Sequence, residues 1–268
     1  MYRINPLKRK MLQSLCDICS NRFIVMGRAF EFRKARKFKR WAAMSKTFAR
    51  LNKDIIIAIR EGNGADADMN PRLRAVLQNC RAANMPKDNV ERAIKKATDK
   101  DTSDFKEVNF EGYAPHGIAV FVETATDNNN RTVANVRSSF NKCNGNLSTS
   151  GSVEFMFDHV CFFKIKSEGQ DQEELELELI DFGAEEIEAD EDAFIVTGSF
   201  EAFGSLQKKL EDDGAEIVES GLERVPNTTK ELDMEATAEV EKLIERLEED
   251  DDVQQVFHTM SSSTPNED

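Results

Sequence analysis

The sequence predicts an α+β fold: an N-terminal three-helix module followed by two nested split βαβ units. Three observations carry that prediction. Apolar residues recur at spacings of three and four as far as Ala97. From Asp101 the pattern changes to short alternating runs punctuated by Pro115, Gly117 and Gly145. Residues 160–219 then read strand, helix, two strands, helix, strand, and they interrupt a similar unit that resumes after them.

In the first helix, Trp41, Met44, Phe48, Leu51, Ile55 and Ile59 fall in one stripe, and Lys46, Arg50, Lys53 and Arg60 fall opposite. Just upstream, Arg28, Arg33, Lys34, Arg36, Lys37, Lys39 and Arg40 are met by one carboxylate, Glu31. A helix that buries one side and turns cations outward has the charge pattern of a phosphate-binding surface. A merely solvated face is the alternative; the density of the flanking basic stretch favours nucleic acid.

Gly62 and Gly64 end this helix. Asn70 as cap and Pro71 at the first helical position start the second, which buries Leu73, Val76, Leu77 and Cys80 and leaves Arg72, Arg74 and Arg81 outside. Pro86 restarts the chain, and Val90, Ala93, Ile94 and Ala97 line a third helix whose outer side carries Arg92, Lys95 and Lys96.

Strands are expected at 108–113 and 118–126, a helix at 131–143 lined by Val133, Val136, Phe140 and Cys143, and a strand at 153–157. The interrupting unit comprises strands at 160–165, 185–189, 193–197 and 215–219, with helices at 172–182 and 200–212. A strand at 222–225, a helix from Asp233 with Ala236, Val240, Leu243, Ile244 and Leu247 inward, and a strand at 253–258 complete the outer unit. Both units follow the ferredoxin-like split βαβ plan. The expected division is 1–25 as a disordered leader or an extension upstream of a Met26 start; 26–100 basic and helical; 101–158 with 221–260; 159–220 inserted and acidic; and 261–268 a polar tail.

Hydrophobic content of 40% with 32% charged residues indicates a globular, soluble chain. No apolar run reaches the roughly 18 residues of a membrane helix, so no membrane partner is expected. The net charge of −14 conceals a division. Residues 26–100 carry 19 Lys/Arg against eight Asp/Glu, and residues 101–268 carry 12 against 41. Screening decays over about 8 Å at physiological salt, so the basic module acts locally while the acidic half meets solvent or a basic protein.

Five cysteines at irregular positions make no disulfide framework and indicate a reducing compartment. Cys16 and Cys19 form a lone C-x-x-C without a second ligand pair, and His159 with Cys161 offers two ligands where a metal needs more. His116, His159 and His258 stand in separate elements, and no phosphate-cradling glycine loop is present. No enzyme, no metal and no cofactor are expected. At the Asp127–Arg131 turn, Asn128, Asn130 and Arg131 can hydrogen-bond a nucleic-acid backbone or base edge. The same residue types are also common turn and cap formers, and the sequence supports both readings.

Several longer stretches resemble a known family. They are Asn70-Pro-Arg-Leu-Arg-Ala75, Asn84-Met-Pro-Lys-Asp-Asn-Val-Glu-Arg-Ala-Ile94, Glu111-Gly-Tyr113, Thr126-Asp-Asn-Asn-Asn-Arg-Thr-Val133, and Asn141-Lys-Cys-Asn-Gly-Asn-Leu147 running to Gly151-Ser-Val153. From Met26 to Met260 the chain is similar to the YebC/PmpR proteins, which include a mitochondrial translational activator of a cytochrome oxidase subunit. The usual opening Met-Ala-Gly-His-Ser-Lys-Trp is replaced here by Met26-Gly-Arg-Ala-Phe-Glu-Phe, with Trp41 later. The resemblance implies a three-domain, non-enzymatic, cytoplasmic protein of gene expression. It implies either DNA-binding transcription regulation or ribosome-associated translation that relieves stalling at proline-rich stretches. Phe30, Phe32, Phe38 and Trp41 among the cations can stack unpaired bases, which suits RNA, although Trp41 heads the apolar stripe and suits packing better. Translation with an RNA or ribosome partner is therefore the first expectation, with basic ribosomal proteins against the acidic half, and DNA the second.

Overall fold

The computed structural model describes residues 44–62, 64–99, 105–167, 171–190 and 192–261. The leader, the basic stretch through Trp41 and the tail beyond Ser261 lie outside the described residues. The chain falls into two compact units, Met1–Thr47 and Phe48–Asp268. Of the first, residues 44–47 are described; they are helical and exposed.

Helix α1 covers 44–61. The predicted stripe is buried at Leu51, Ile55 and Ile59, half-buried at Phe48 and exposed at Met44, in the first described turn of α1. Ile56, Ile57 and Ala58 are buried as well, so α1 is enclosed nearly all round in its second half. Helices α2 (Pro71–Ala82) and α3 (Lys87–Thr98) close one side of it through Leu73, Cys80, Ala93 and Ala97, with Met85 from the turn between them. The start of α2 is built as the Asn-Pro pair dictates: the Asn70 side chain accepts from Leu73 N at 3.1 Å, while its amide donates to Ala58 O at 2.7 Å and ties the two helices together.

The first sheet has the order β3-β1-β2-β8, from β1 (Lys106–Tyr113), β2 (Ala119–Thr126), β3 (Asn146–Leu147) and β8 (Val253–His258). β2, α4 (Asn129–Lys142) and β3 straddle β1, which is the split crossover. Val120 and Val122 of β2 face α4 and α7 (Met234–Glu248), where Val136, Phe140, Val240, Leu243 and Leu247 fill the core. Alternation turns Ala119 and Phe121 to the opposite face, against Val153 and Phe157. The second sheet has the order β5-β6-β4-β7, from β4 (Phe157–Lys166), β5 (Ala184–Asp190), β6 (Ala193–Ser199) and β7 (Ile217–Pro226). Helices α5 (Gln172–Leu179) and α6 (Phe203–Asp212) cover one face of it through Leu175, Leu179, Leu206 and Leu210. The fold is α+β, with N-terminal helices followed by two antiparallel four-stranded sheets.

Two local expectations are corrected, and one strand is added. Residues 153–156 are not a strand: Glu154–Met156 form a 3-10 turn, and Phe157 opens β4. The Glu111 carboxylate accepts from the N–H groups of Gly151, Val153 and Glu154 at 2.6, 2.7 and 2.9 Å, and amides gathered on one carboxylate cannot form a ladder. The strands expected at 215–219 and 222–225 are one strand, β7, paired along its length with β4, so residues 222–225 join the second sheet. Ser220-Gly221 has the composition of a break, but the glycine is there for contact. A Cβ on Gly221 would stand 2.9 Å from the Phe162 ring. The two-residue β3 is an addition, too short to show a period in the sequence.

Candidate nucleic-acid interface

The predicted cationic residues divide into those the fold engages and those it leaves outward. Lys53 is engaged. Its ammonium donates to Asp251 O at 2.7 Å, Ala125 O at 2.8 Å and the Asp252 carboxylate at 3.1 Å, and its side chain is 13% exposed. Lys53 therefore does not share an outward face with Lys46 and Arg50. The periodicity is right for the buried Leu51, Ile55 and Ile59. It cannot show that α1 has a second packed side, where the end of β2 and the loop before β8 supply acceptors.

Asp252 is the hub. It is buried, and besides Lys53 it accepts from Arg131 Nη2 at 2.8 Å and Thr132 Oγ1 at 2.9 Å; Thr126 Oγ1 lies 3.2 Å away. Burial pushes its pKa up, but the hydrogen bonds from Arg131, Thr132 and Lys53 outweigh burial and hold it below the ordinary aspartate value. One carboxylate thus joins α1, the end of β2, the start of α4 and the entry to β8. It sits in the unbroken acidic run Glu248–Asp252. Only the fold distinguishes its buried member.

The Asp127–Arg131 turn serves this hub. Asn128 caps α4, its side chain accepting from Arg131 N at 3.2 Å, and the Arg131 guanidinium bridges Asp127 at 2.9 Å and Asp252. Asn130 is exposed. On α2, Arg72 bridges Glu61 and Glu107, and Arg74 pairs with Glu211 of α6. Beside Arg74 runs a polar seam: Asn79 donates to Ser220 O at 2.6 Å and accepts from Ser220 N at 3.1 Å, treating β7 as a neighbouring strand would. Asp54, half-buried on α1, has its pKa pushed up to about 7 by burial, opposed by Arg72.

Of the described candidates, Lys46, Arg50 and Asn130 take part in none of these contacts; Lys46 is exposed and Arg50 half-buried. Arg33, Lys34, Arg36, Lys37, Lys39 and Arg40 lie outside the described residues. The histidines stay apart: His116 lies 2.9 Å from Glu239, and His159 stacks on Phe200 at 4.4 Å. Cys161 is sealed in the second core with its thiol pKa pushed up to about 11 by burial. Among the described residues no three His, Cys, Asp or Glu side chains are grouped to hold a metal ion, and no helix is long and apolar enough to cross a membrane.

Comparison with known proteins agrees with this architecture. A model of the TACO1/YebC protein N-terminal domain matches residues 28–100, and one of the TACO1/YebC second and third domain matches residues 105–260. A probable transcriptional regulatory protein of Flavobacterium johnsoniae is 66% identical over 235 residues, 88% of this chain and 99% of the relative. One from Porphyromonas gingivalis is 59% identical over 236 residues, 88% of this chain and 97% of the relative. The crystal structure of a conserved hypothetical protein from Aquifex aeolicus superposes with a TM-score of 0.71 at 38% identity, covering 81% of this chain and 90% of that one. With both family models matched in order along most of its length, the chain belongs to the TACO1/YebC family of regulatory proteins.

Proposed function

We propose that this protein is a non-enzymatic, cytoplasmic RNA-binding translation factor that works on the ribosome and relieves stalling at proline-rich stretches. The observation that carries the reading is the concentration of cations in residues 28–40, seven against one carboxylate, interleaved with Phe30, Phe32 and Phe38. Cations neutralise phosphates, and flat side chains among them accept unstacked bases, a combination suited to single-stranded or looped RNA. Arg33, Lys34, Arg36, Lys37, Lys39, Arg40, Lys46 and Arg50 are the proposed contacts, with Asn130 a further donor. Lys53, Arg72, Arg74 and Arg131 would have to exchange a carboxylate of this chain for a phosphate, so they are assigned to architecture. The acidic remainder suits basic ribosomal proteins and repels a wrapped duplex.

The names of the relatives favour a second reading, DNA-binding transcriptional regulation. Ultraviolet crosslinking in cells, sequencing both RNA and DNA attached to the protein, separates the two. Enrichment of ribosomal or messenger RNA is the expected result. Enrichment of promoter DNA without RNA would overturn the translation reading.

A further inference from the structure

The outward side of α5 is an unusual surface. Leu175 and Leu179 are buried against the second sheet, yet Leu177 is 76% exposed and Ile180, in the following turn, is 64% exposed. At about 100° per residue, Leu177 points directly away from Leu175 and Leu179, and Ile180 lies one turn on along the same outer side. Around them stand Glu173, Glu174, Glu176, Glu178 and Asp181, all exposed, and residues 171–182 contain no Lys or Arg. Phe182, at the edge, is covered by Lys209, 5.6 Å from its ring, and Lys209 also meets Glu178 and Asp213. The cation at this edge is thus already occupied within the domain.

Helix α5 needs neither outward apolar residue for its own packing, because Leu175 and Leu179 already fix it to the sheet. Two aliphatic side chains centred in a ring of carboxylates are complementary to the reverse arrangement. We propose that this face docks a basic protein segment, an amphipathic helix whose apolar stripe covers Leu177 and Ile180 while its Lys or Arg residues meet the surrounding carboxylates. Charge excludes the other occupants. Nucleic acid and anionic lipid would be repelled, and a second copy meeting the same face symmetrically would oppose carboxylate to carboxylate. The proposal deepens the partner reading given above and rests on it for the choice of a protein as partner. The surface is far in sequence from the cations assigned to RNA, so the two can fail separately.

The test uses the full chain and three fluorescent probes: an 18-residue Lys/Leu peptide patterned as an amphipathic helix, its scrambled isomer, and oligolysine. The patterned peptide should bind best, and more weakly as salt rises. Leu177→Ser with Ile180→Ser should weaken it about tenfold, as expected for central apolar contacts, without lowering the melting temperature. Glu173→Gln, Glu174→Gln and Asp181→Asn together should flatten the salt dependence; Asp171 is left intact because it caps α5. RNA affinity should stay unchanged in all these variants. Loss of RNA binding in wild type with peptide binding retained would overturn the RNA reading alone. Equal binding of patterned and scrambled peptides, or wild-type affinity in the double serine variant, would overturn the docking face. So would a wild-type dimer that the serine variant dissolves.

Discussion

The ammonium of Lys53 on α1 and the carboxylate of Asp252 before β8 lie 3.1 Å apart, 199 residues distant in sequence, and both are largely shielded from water. This contact fixes the helical module to the first sheet and removes Lys53 from any outward cationic face. Lys53→Met or Asp252→Asn leaves a shielded charge or backbone carbonyl without its partner. Each change should cost about 2–4 kcal/mol by urea unfolding, the range for breaking a shielded, hydrogen-bonded pair. Losses below about 0.5 kcal/mol would place the pair with ordinary surface bridges.

Acid sensitivity should follow Glu111 and Asp252. Burial pushes the Glu111 pKa up, but the backbone N–H groups of Val153, Gly151 and Glu154 outweigh it, and the folded value is lowered, as it is for Asp252. A carboxylate with a depressed folded pKa contributes stability above its unfolded value near 4, and loses it as pH falls through the folded value. Melting temperature should therefore drop steeply below about pH 4. Glu111→Gln should flatten that drop while costing about 1–3 kcal/mol at pH 7. An unchanged acid profile would sink this assignment.

Asp54 carries the opposite sign. Its folded pKa of about 7 lies above the ordinary value of 3.8, so the folded state holds its proton more tightly and loses stability as pH rises between them. Asp54→Asn should raise the melting temperature at pH 8, by roughly 2–4 °C for each kcal/mol relieved, and give no gain at pH 4. Equal effects at both pH values would contradict the raised pKa.

The second sheet is proposed as an inserted domain, and its strands set where it can be cut. Arg224 of β7 is buried, donates to Glu123 of β2 at 2.8 Å, and stacks over Phe121 at 4.1 Å. Replacing residues 158–225 by a short Gly/Ser linker keeps Phe157 in the first sheet's minor core and removes this bridge and the Asn79–Ser220 seam. The remainder should melt cooperatively at a lower temperature. Calorimetry showing no cooperative transition would refute independent folding.

RNA binding should depend on Lys46 and Arg50 but not on Lys53 in the same way. Lys46→Ala with Arg50→Ala should lower the salt slope by roughly 0.7 for each phosphate of single-stranded RNA that is no longer neutralised, with melting unchanged. Lys53→Ala should chiefly lower stability. If Lys53→Ala alone reduces the salt slope in a fully folded sample, its assignment to the clamp is wrong.

Local signals in the sequence are strong enough to place most elements. The Asn70-Pro71 start, the Asn128 cap, the 3.6-residue stripes of α4 and α7 and the Leu51, Ile55 and Ile59 part of the α1 stripe depend on neighbours within a turn or two, and each stands where the pattern puts it. The long alternating strands are legible for the same reason. Gly221 misleads because a glycine in a run signals a break, and only the Phe162 ring across the ladder explains it otherwise.

What the sequence determined by itself was composition and period: an α+β chain, basic at one end and acidic over the rest, with its family stated in contiguous motifs. What the tertiary structure decided was the fate of individual charges. Lys46 and Lys53 sit on one helix seven residues apart, and no local rule separates them. Asp250, Asp251 and Asp252 are likewise indistinguishable in a row. One lysine faces solvent and the other is clamped, and one aspartate is buried and bonded, because charges are paired or solvated by whatever the fold brings near. Those partners, 72 and 199 residues away from Lys53, leave no trace in the local pattern.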